Sequence, residues 1–216
     1  MQEIREKVTP VMEKLEKNNM TAYFVEKKEE VIGLMETLMQ DGESVAFGGS
    51  VSLNECGVLD WTRSGKFKVV DRYAPGLTRE EIQEVFRQSF LVDHYLCSTN
   101  AVTEDGVLYN VDGNGNRVAA MMYGPKSVIL VVGHQKIVKD LEEAKARVRT
   151  VASPKNCKRL NLPGTYCFHA GHCVACDKEI PAGCGASSIC HDFTVMGRQT
   201  IPGRIKVIFV GEEVGY

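Results

Sequence analysis

The chain has 216 residues, 44% hydrophobic and 25% charged, which is the make-up of a globular domain and argues against a disordered or fibrous chain. Its 26 Lys and Arg against 28 Asp and Glu give a formal net charge of -2, which excludes the basic footprint of a duplex-binding protein. No apolar run approaches the roughly 18 residues of a membrane span, and Met1–Lys7 is too charged for a signal peptide. The expectation is therefore a cytoplasmic protein that binds neither nucleic acid nor membrane.

Residues 2–18 place Ile4, Val8, Val11, Met12 and Leu15 on one face of an amphipathic helix, with Pro10 as a point of kinking. Thr21–Val25 reads as a strand, and Lys28–Gln40 as a helix burying Val31, Ile32, Met35, Leu38 and Met39. Ser44–Gly48 is a buried-type strand, followed by a helix opening at Ser52-Leu53-Asn54-Glu55. Lys66–Asp71 is the next strand, and Thr78-Arg79-Glu80-Glu81 opens a helix to about Ser89. After a strand at His94–Ser98, the stretches Gly106–Asp112 and Val118–Tyr123 read as a hairpin turning at Gly113-Asn114-Gly115-Asn116. Ser127–Val132 is a strongly apolar strand, Gln135–Val148 a helix and Arg204–Val210 a last buried strand. Strands alternating with helices predict an α/β fold, an open, mostly parallel, doubly wound sheet with one inserted β-hairpin. The whole of 1–216 forms a single domain, with a cysteine-rich segment at about 157–192.

Three groups of residues carry chemistry. Gly48, Gly49 and Ser50 lie where a strand hands over to a helix, at the end of the sheet where open α/β folds bind ligands. They suit a phosphate or carboxylate against free backbone N–H groups, or equally a tight turn that needs glycine for geometry. The loop Thr99–Gly106, continued by Asn110, Asp112, Asn116 and Arg117, is rich in short polar side chains. In it Glu104 would serve as a general base or carboxylate nucleophile, and Arg117 as a clamp on an anion, against turn chemistry as the plainer alternative.

The third group is the cysteine cluster. Of eight cysteines, Cys167, Cys173, Cys176, Cys184 and Cys190 fall close together, and in a reducing compartment such clusters read as metal ligands before disulfides. Cys167, Cys173, Cys176 and Cys190 would converge on one zinc ion or one Fe–S cluster, between which the spacing does not choose. His169, His172 and His191 lie alongside as substitutes or as exposed loop residues. No nicotinamide or flavin motif is present: G-x-G-x-x-G is absent, and Gly124-Pro125-Lys126-Ser127 has Ala119 where a P-loop would start with glycine. His94, His134 and Trp61 read as structural, and the charges of Lys136–Arg149 as the solvated face of a helix.

The order Gly48-Gly49-Ser50, Thr103-Glu104-Asp105-Gly106, Asn114–Ala119, Gly124-Pro125, Val131-Val132-Gly133 and Lys136-Ile137-Val138 resembles the LUD (lactate-utilisation, LutC-like) domain family. The tail Ala144–Arg147, Ala152–Asn156 and Gly171–Cys176 resembles a cysteine-containing branch of it. That resemblance implies a fold like the NagB/RpiA/CoA-transferase superfamily, a link to lactate oxidation and an iron–sulfur oxidoreductase partner. It makes Glu104 the loose counterpart of the CoA-transferase glutamate. Ser187-Ser188 stands where the resemblance would put an arginine before Ile189-Cys190, which brings in Cys184 as a substitute ligand.

Two functions remain in view. One is a redox-linked accessory protein of organic-acid oxidation, built around the cysteine-held metal. The other is an enzyme or binding domain for a small anionic ligand (sugar phosphate, carboxylate or CoA ester), with Glu104 as catalytic carboxylate. The activity stays open between an oxidoreductase component and a transferase- or isomerase-like enzyme. Exposed glycine-rich loops leave room for a homodimer that no motif specifies. A cysteine segment packed over the ligand mouth would merge the two functions.

Overall fold

The computed structural model describes residues 1–175, 184 and 187–216. Six parallel strands form the central sheet: β1 Thr21–Val25, β2 Ser44–Phe47, β3 Lys68–Val70, β4 His94–Cys97, β7 Ser127–Gly133 and β10 Ile205–Val210, in the order β1-β10-β7-β4-β2-β3. Three further strands, β5 Ala101–Thr103, β6 Leu108–Asp112 and β8 Ile137–Val138, join β9 Asp192–Met196 in a second sheet ordered β8-β5-β6-β9. Helix α1 spans Gln2–Lys17 and continues through Pro10; α2 Glu30–Leu38, α3 Val51–Glu55, α4 Val58–Thr62 and α5 Arg79–Gln88 follow. The later helices are α6 Asn116–Met122, α7 Leu141–Arg147, α8 Ser153–Arg159 and α9 Tyr166–Ala170.

The alternation of side chains along the strands explains why both faces of the sheet are covered. In β10, Val207 and Phe209 enter the core under α1, with Val8, Val11 and Leu15, while Ile208 and Val210 enter the opposite core with Val31, Met35 and Leu53. Strand β7 splits the same way, Val128, Leu130 and Val132 against Ile129 and Val131. The second sheet sits on the α1 side: Val102, Leu108, Ile137 and Met196 belong to that core, and Ala101, Tyr109, Val111 and Val138 pack with Ala144 and Val148 beyond it.

Two departures from the sequence reading matter. The hairpin is made by β5 and β6, turning at Glu104–Val107, and Val118–Tyr123 is no strand, because α6 begins at Asn116. Gly115 adopts φ 72° and its carbonyl accepts the Ala119 N–H at 2.9 Å, so the Gly-Asn turn starts a helix of good helix formers. The expected helix from Gln135 is likewise postponed. A 3-10 turn at His134–Lys136 leads into β8, which pairs with β5, and α7 starts only at Leu141, where Asp140 accepts the Glu143 N–H.

The topology opens a crevice. Neighbouring strands β2 and β4 leave the sheet in opposite directions, β2 into α3 on one face and β4 into the β5–β6 hairpin on the other. Such a divergence leaves a gap at the carboxyl ends of the strands, where open α/β sheets receive ligands.

Candidate functional site

The gap is a real cavity of about 130 Å³. Gly49–Ser52 form one wall, Ser98–Asn100 the other, and Asp112, Gly113 and Arg117 close it from the second sheet. Ala152, Ser153 and Asn156 arrive from a π-helical turn (Val148–Ala152) and α8, with Cys190 and Tyr216 at the rim.

Arg117 is the organising side chain. Its Nη1 donates to the Ser98 carbonyl at 3.2 Å and to Asn110 Oδ1 at 2.6 Å, and its Nη2 to Asn100 Oδ1 at 3.2 Å and the Val111 carbonyl at 2.9 Å. Its Nε pairs with Asp112 Oδ2 at 3.2 Å. The Nη1 and Nη2 donors are thus committed within the protein, and Nε faces the Asp112 carboxylate as an ion pair. The expected anion clamp is instead a cross-link between β4, β6 and α6, contributing charge to the cavity and no free hydrogen. Gly48 serves the same cross-link: a Cβ there would lie 3.2 Å from Arg117 Cδ and 3.2 Å from the Tyr95 hydroxyl. A side chain there would press on both and push them back by a few tenths of an ångström. Gly49 and Ser50 do line the cavity, with the Ser50 hydroxyl accepting the Leu53 N–H as the cap of α3.

Asn116 is not among the lining residues, and neither is Glu104. Glu104 is exposed at the β5–β6 turn and lines a separate groove with Lys14 of α1 and Lys139 near α7. The geometry gives no support to a carboxylate role for it in this cavity.

The residue that sequence reasoning misplaced is Lys136. Expected on a solvated helix, it is 2% exposed, and its Nζ donates to Ser52 Oγ at 2.9 Å and Ser98 Oγ at 3.0 Å on the cavity floor. Burial, reinforced by the charges of Arg147 and Arg117 and opposed by Glu55 and Cys56, pulls its pKa down to about 7. Arg147 in turn holds the Asn100 carbonyl at 2.6 Å. The signal available in the sequence was weak, a single cation between the apolar runs Val131-Val132 and Ile137-Val138.

A second, smaller cavity of about 30 Å³ adjoins the first. Cys157, Cys167, Cys173, Cys184 and Cys190 all line it, and Cys190, Ser153 and Ile189 belong to both walls. The segment expected to be a loop is largely helical at this point: α8 presents Cys157 and α9 presents Cys167, with their sulfurs 3.3 Å apart. The Cys173 N–H is held by the Arg149 carbonyl at 2.8 Å, and Cys190 Sγ lies 3.2 Å from Ser153 Oγ. Burial pushes the thiols of Cys167 and Cys190 up to about 11. Among the described residues no group of three or more His, Cys, Asp and Glu side chains forms a metal site, and Cys176 lies outside those residues. His169 and His191 are turned to backbone carbonyls, those of Pro163 and Gly113. His94 pairs with Glu43 at 2.7 Å and Trp61 packs edge-on to Phe67, both structural as expected. Among the described residues no helix is long and apolar enough to cross a membrane.

Two outcomes follow from this geometry. Replacing Arg117 by Lys strands several buried acceptors and should cost about 3 kcal/mol or more, read as a lower urea midpoint. Lys136 binds its proton less tightly folded than unfolded, so between pH about 7 and 10 the unfolded chain holds more protons and stability rises with pH. In Lys136→Met that slope, roughly 1 kcal/mol per pH unit, should disappear from denaturation curves compared at pH about 7.5 and 9.

The described geometry can be set beside known proteins. A crystal structure of a DUF162 family protein from Deinococcus radiodurans superposes with a TM-score of 0.55 at 15% identity, covering 96% of this chain and 98% of that one. The eIF2B beta subunit from Chaetomium thermophilum reaches a TM-score of 0.37 at 17% identity, covering 52% of this chain and 43% of its own, too remote to carry an argument. No curated protein matches the sequence. The LUD domain profile matches residues 8–210, nearly the whole of the α/β domain and all of the lining of the two cavities except Tyr216. The chain belongs to the LUD domain family.

Proposed function

We propose that this LUD-domain protein receives a small 2-hydroxy or 2-oxo carboxylate at the carboxyl ends of its parallel sheet, in the service of lactate or related organic-acid utilisation. The observation that carries this reading is the cavity over Lys136. At about 130 Å³ it is close to the ~150 Å³ that admits a six-carbon ring, so it suits a ligand of about six non-hydrogen atoms. Lactate and pyruvate have that size. A CoA ester or sugar phosphate would project out of it. Arg117, with Arg147 close behind the cavity floor, against Asp112 favours an anion, and Ser50, Asn100 and Asn156 offer polar partners. Family membership supports the link to organic-acid utilisation at the level of the family.

The adjoining thiol cavity supports a cysteine-held metal beside the ligand. Cys167, Cys173 and Cys190, with Cys157 or Cys184 beside them, turn soft donors toward one small space, and Cys176 would complete the set. The raised pKa values of Cys167 and Cys190 fit the same reading, since thiols packed together stay protonated until a cation compensates their charge. An iron–sulfur cluster there would supply one-electron redox chemistry, and zinc a structural clasp. Because Cys190 belongs to both cavities, the redox-accessory and ligand-binding readings become one function. An iron–sulfur oxidoreductase is its proposed partner.

Each half has its own test. L-Lactate or pyruvate at a hundredfold excess over Kd should add about 2.7 kcal/mol and raise Tm by roughly 5–10 °C. Absence of any shift across short hydroxy- and oxo-acids would sink the cavity reading. Protein purified without oxygen should carry iron with acid-labile sulfide, or zinc, and Cys167→Ser and Cys190→Ser should each lose most of it. Metal-free wild-type protein would overturn the cysteine reading.

A further inference from the structure

We infer that Lys136 is a nucleophile, and that its Nζ forms a reversible Schiff base with the carbonyl carbon of a 2-oxo acid held in the cavity. The inference rests on the ligand class proposed above and adds a covalent step to it.

The hydrogen bonds around the amine separate this from a serine–lysine arrangement, in which lysine removes a serine proton. In that arrangement a serine hydroxyl must donate to Nζ. Here the Nζ hydrogens point to Ser52 Oγ and Ser98 Oγ, at 2.9 and 3.0 Å. The hydroxyl of Ser52 has the Val214 carbonyl at 3.3 Å as its own acceptor, and that of Ser98 has the Thr99 carbonyl at 3.4 Å. Both serines therefore accept from the amine, and a neutral amine that donates twice keeps its lone pair unshared. Lys136, Ser52 and Ser98 all line the cavity. Gly215 closes the amine from another side: a Cβ there would meet Ser52 Oγ at 2.3 Å and Nζ at 3.1 Å. The room left for attack lies toward the cavity.

The surroundings bring the pKa of the amine down to about 7, so a large share of it is free of its proton at pH about 7.5. Arg147 of α7 and Arg117 of α6 act with burial, against Glu55 of α3 and Cys56 beside it. A lysine desolvated next to other cations is a recognised way of making an amine nucleophilic. The step balances without any co-reactant. The lone pair of Nζ forms the C–N bond as the C=O π bond opens, giving a carbinolamine. Its C–O bond then breaks, both amine hydrogens leave with that oxygen as water, and the C=N bond remains. Ser52 and Ser98, in contact with Nζ, are placed to pass these protons. Hydration reverses the step and returns the acid.

The test is reductive trapping of the full chain with pyruvate and cyanoborohydride at pH about 7.5, followed by intact mass and peptide mapping. One carboxyethyl group per chain is expected, on Lys136, at a level at least about tenfold above exposed lysines such as Lys158. Lactate has no keto group and should suppress the labelling without leaving an adduct. Lys136→Arg should lose the label, and Lys158→Arg, an exposed change away from the cavity, should retain it on Lys136. If lactate and pyruvate raise Tm while Lys136 stays unmodified, the Schiff base is wrong and the cavity reading stands. If neither acid raises Tm and Lys136 stays unmodified, both fall.

Discussion

Arg117 holds the two sheets in register, and the cavity exists because of it. A guanidinium presents five donors in one plane, and the ends of β4 and β6 supply acceptors around that plane: the carbonyls of Ser98 and Val111, and the side chains of Asn100, Asn110 and Asp112. An ammonium in the same place would satisfy fewer of them, with no planar fork to set their directions. Gly48 and the helix carrying Arg117 are both arranged for this contact, the glycine by giving up a side chain and α6 by starting at Asn116.

Once Arg117 is committed, its charge remains but its hydrogens do not. That leaves the cavity with a positive field and a floor built around a different group, the amine of Lys136. Burial, with two arginines nearby, makes the protonated form of this lysine expensive, and two serine hydroxyls fix the position of the amine by accepting from it. The thiol cavity next door follows related physics. Sulfurs from α8, α9 and the segment ahead of β9 share a space too small for much water, and burial raises the pKa of the Cys167 and Cys190 thiols. Cys190 and Ser153 form the partition between a polar chamber and a soft one, so a change in either is felt by the other.

Much of the fold was legible because period and burial agree. Strands β7 and β10 are buried on both faces, and their uninterrupted Val and Ile runs announce it. Helix α1 shows its buried stripe at Val8, Val11 and Leu15, and Thr78 with Glu81 forms the capping box its spacing promised. The hairpin was misplaced because Gly113-Asn114-Gly115-Asn116 has turn chemistry that serves a strand reversal and a helix start equally well. Ala119, Ala120, Met121 and Met122 favour the helix, and the packing of Ala120 and Met121 into the core under the sheet decided for it.

The amino-acid sequence by itself determined the α/β class, the parallel core strands, the strand-to-helix handover at Gly49 and Ser50, and the clustering of cysteines in the last third of the chain. These are properties of neighbours along the chain, where periodicity and spacing carry the information. Only the tertiary structure decided which charges are buried. Lys136, Arg117 and Glu104 are each one charged residue among many in sequence, yet one becomes a desolvated amine, one a cross-link and one an exposed turn residue. Burial and hydrogen-bond partners come from segments far apart in the chain, Ser52 and Ser98 for Lys136, and Ser98 to Asp112 for Arg117. The energy of a charge depends on that surrounding far more than on its flanking residues.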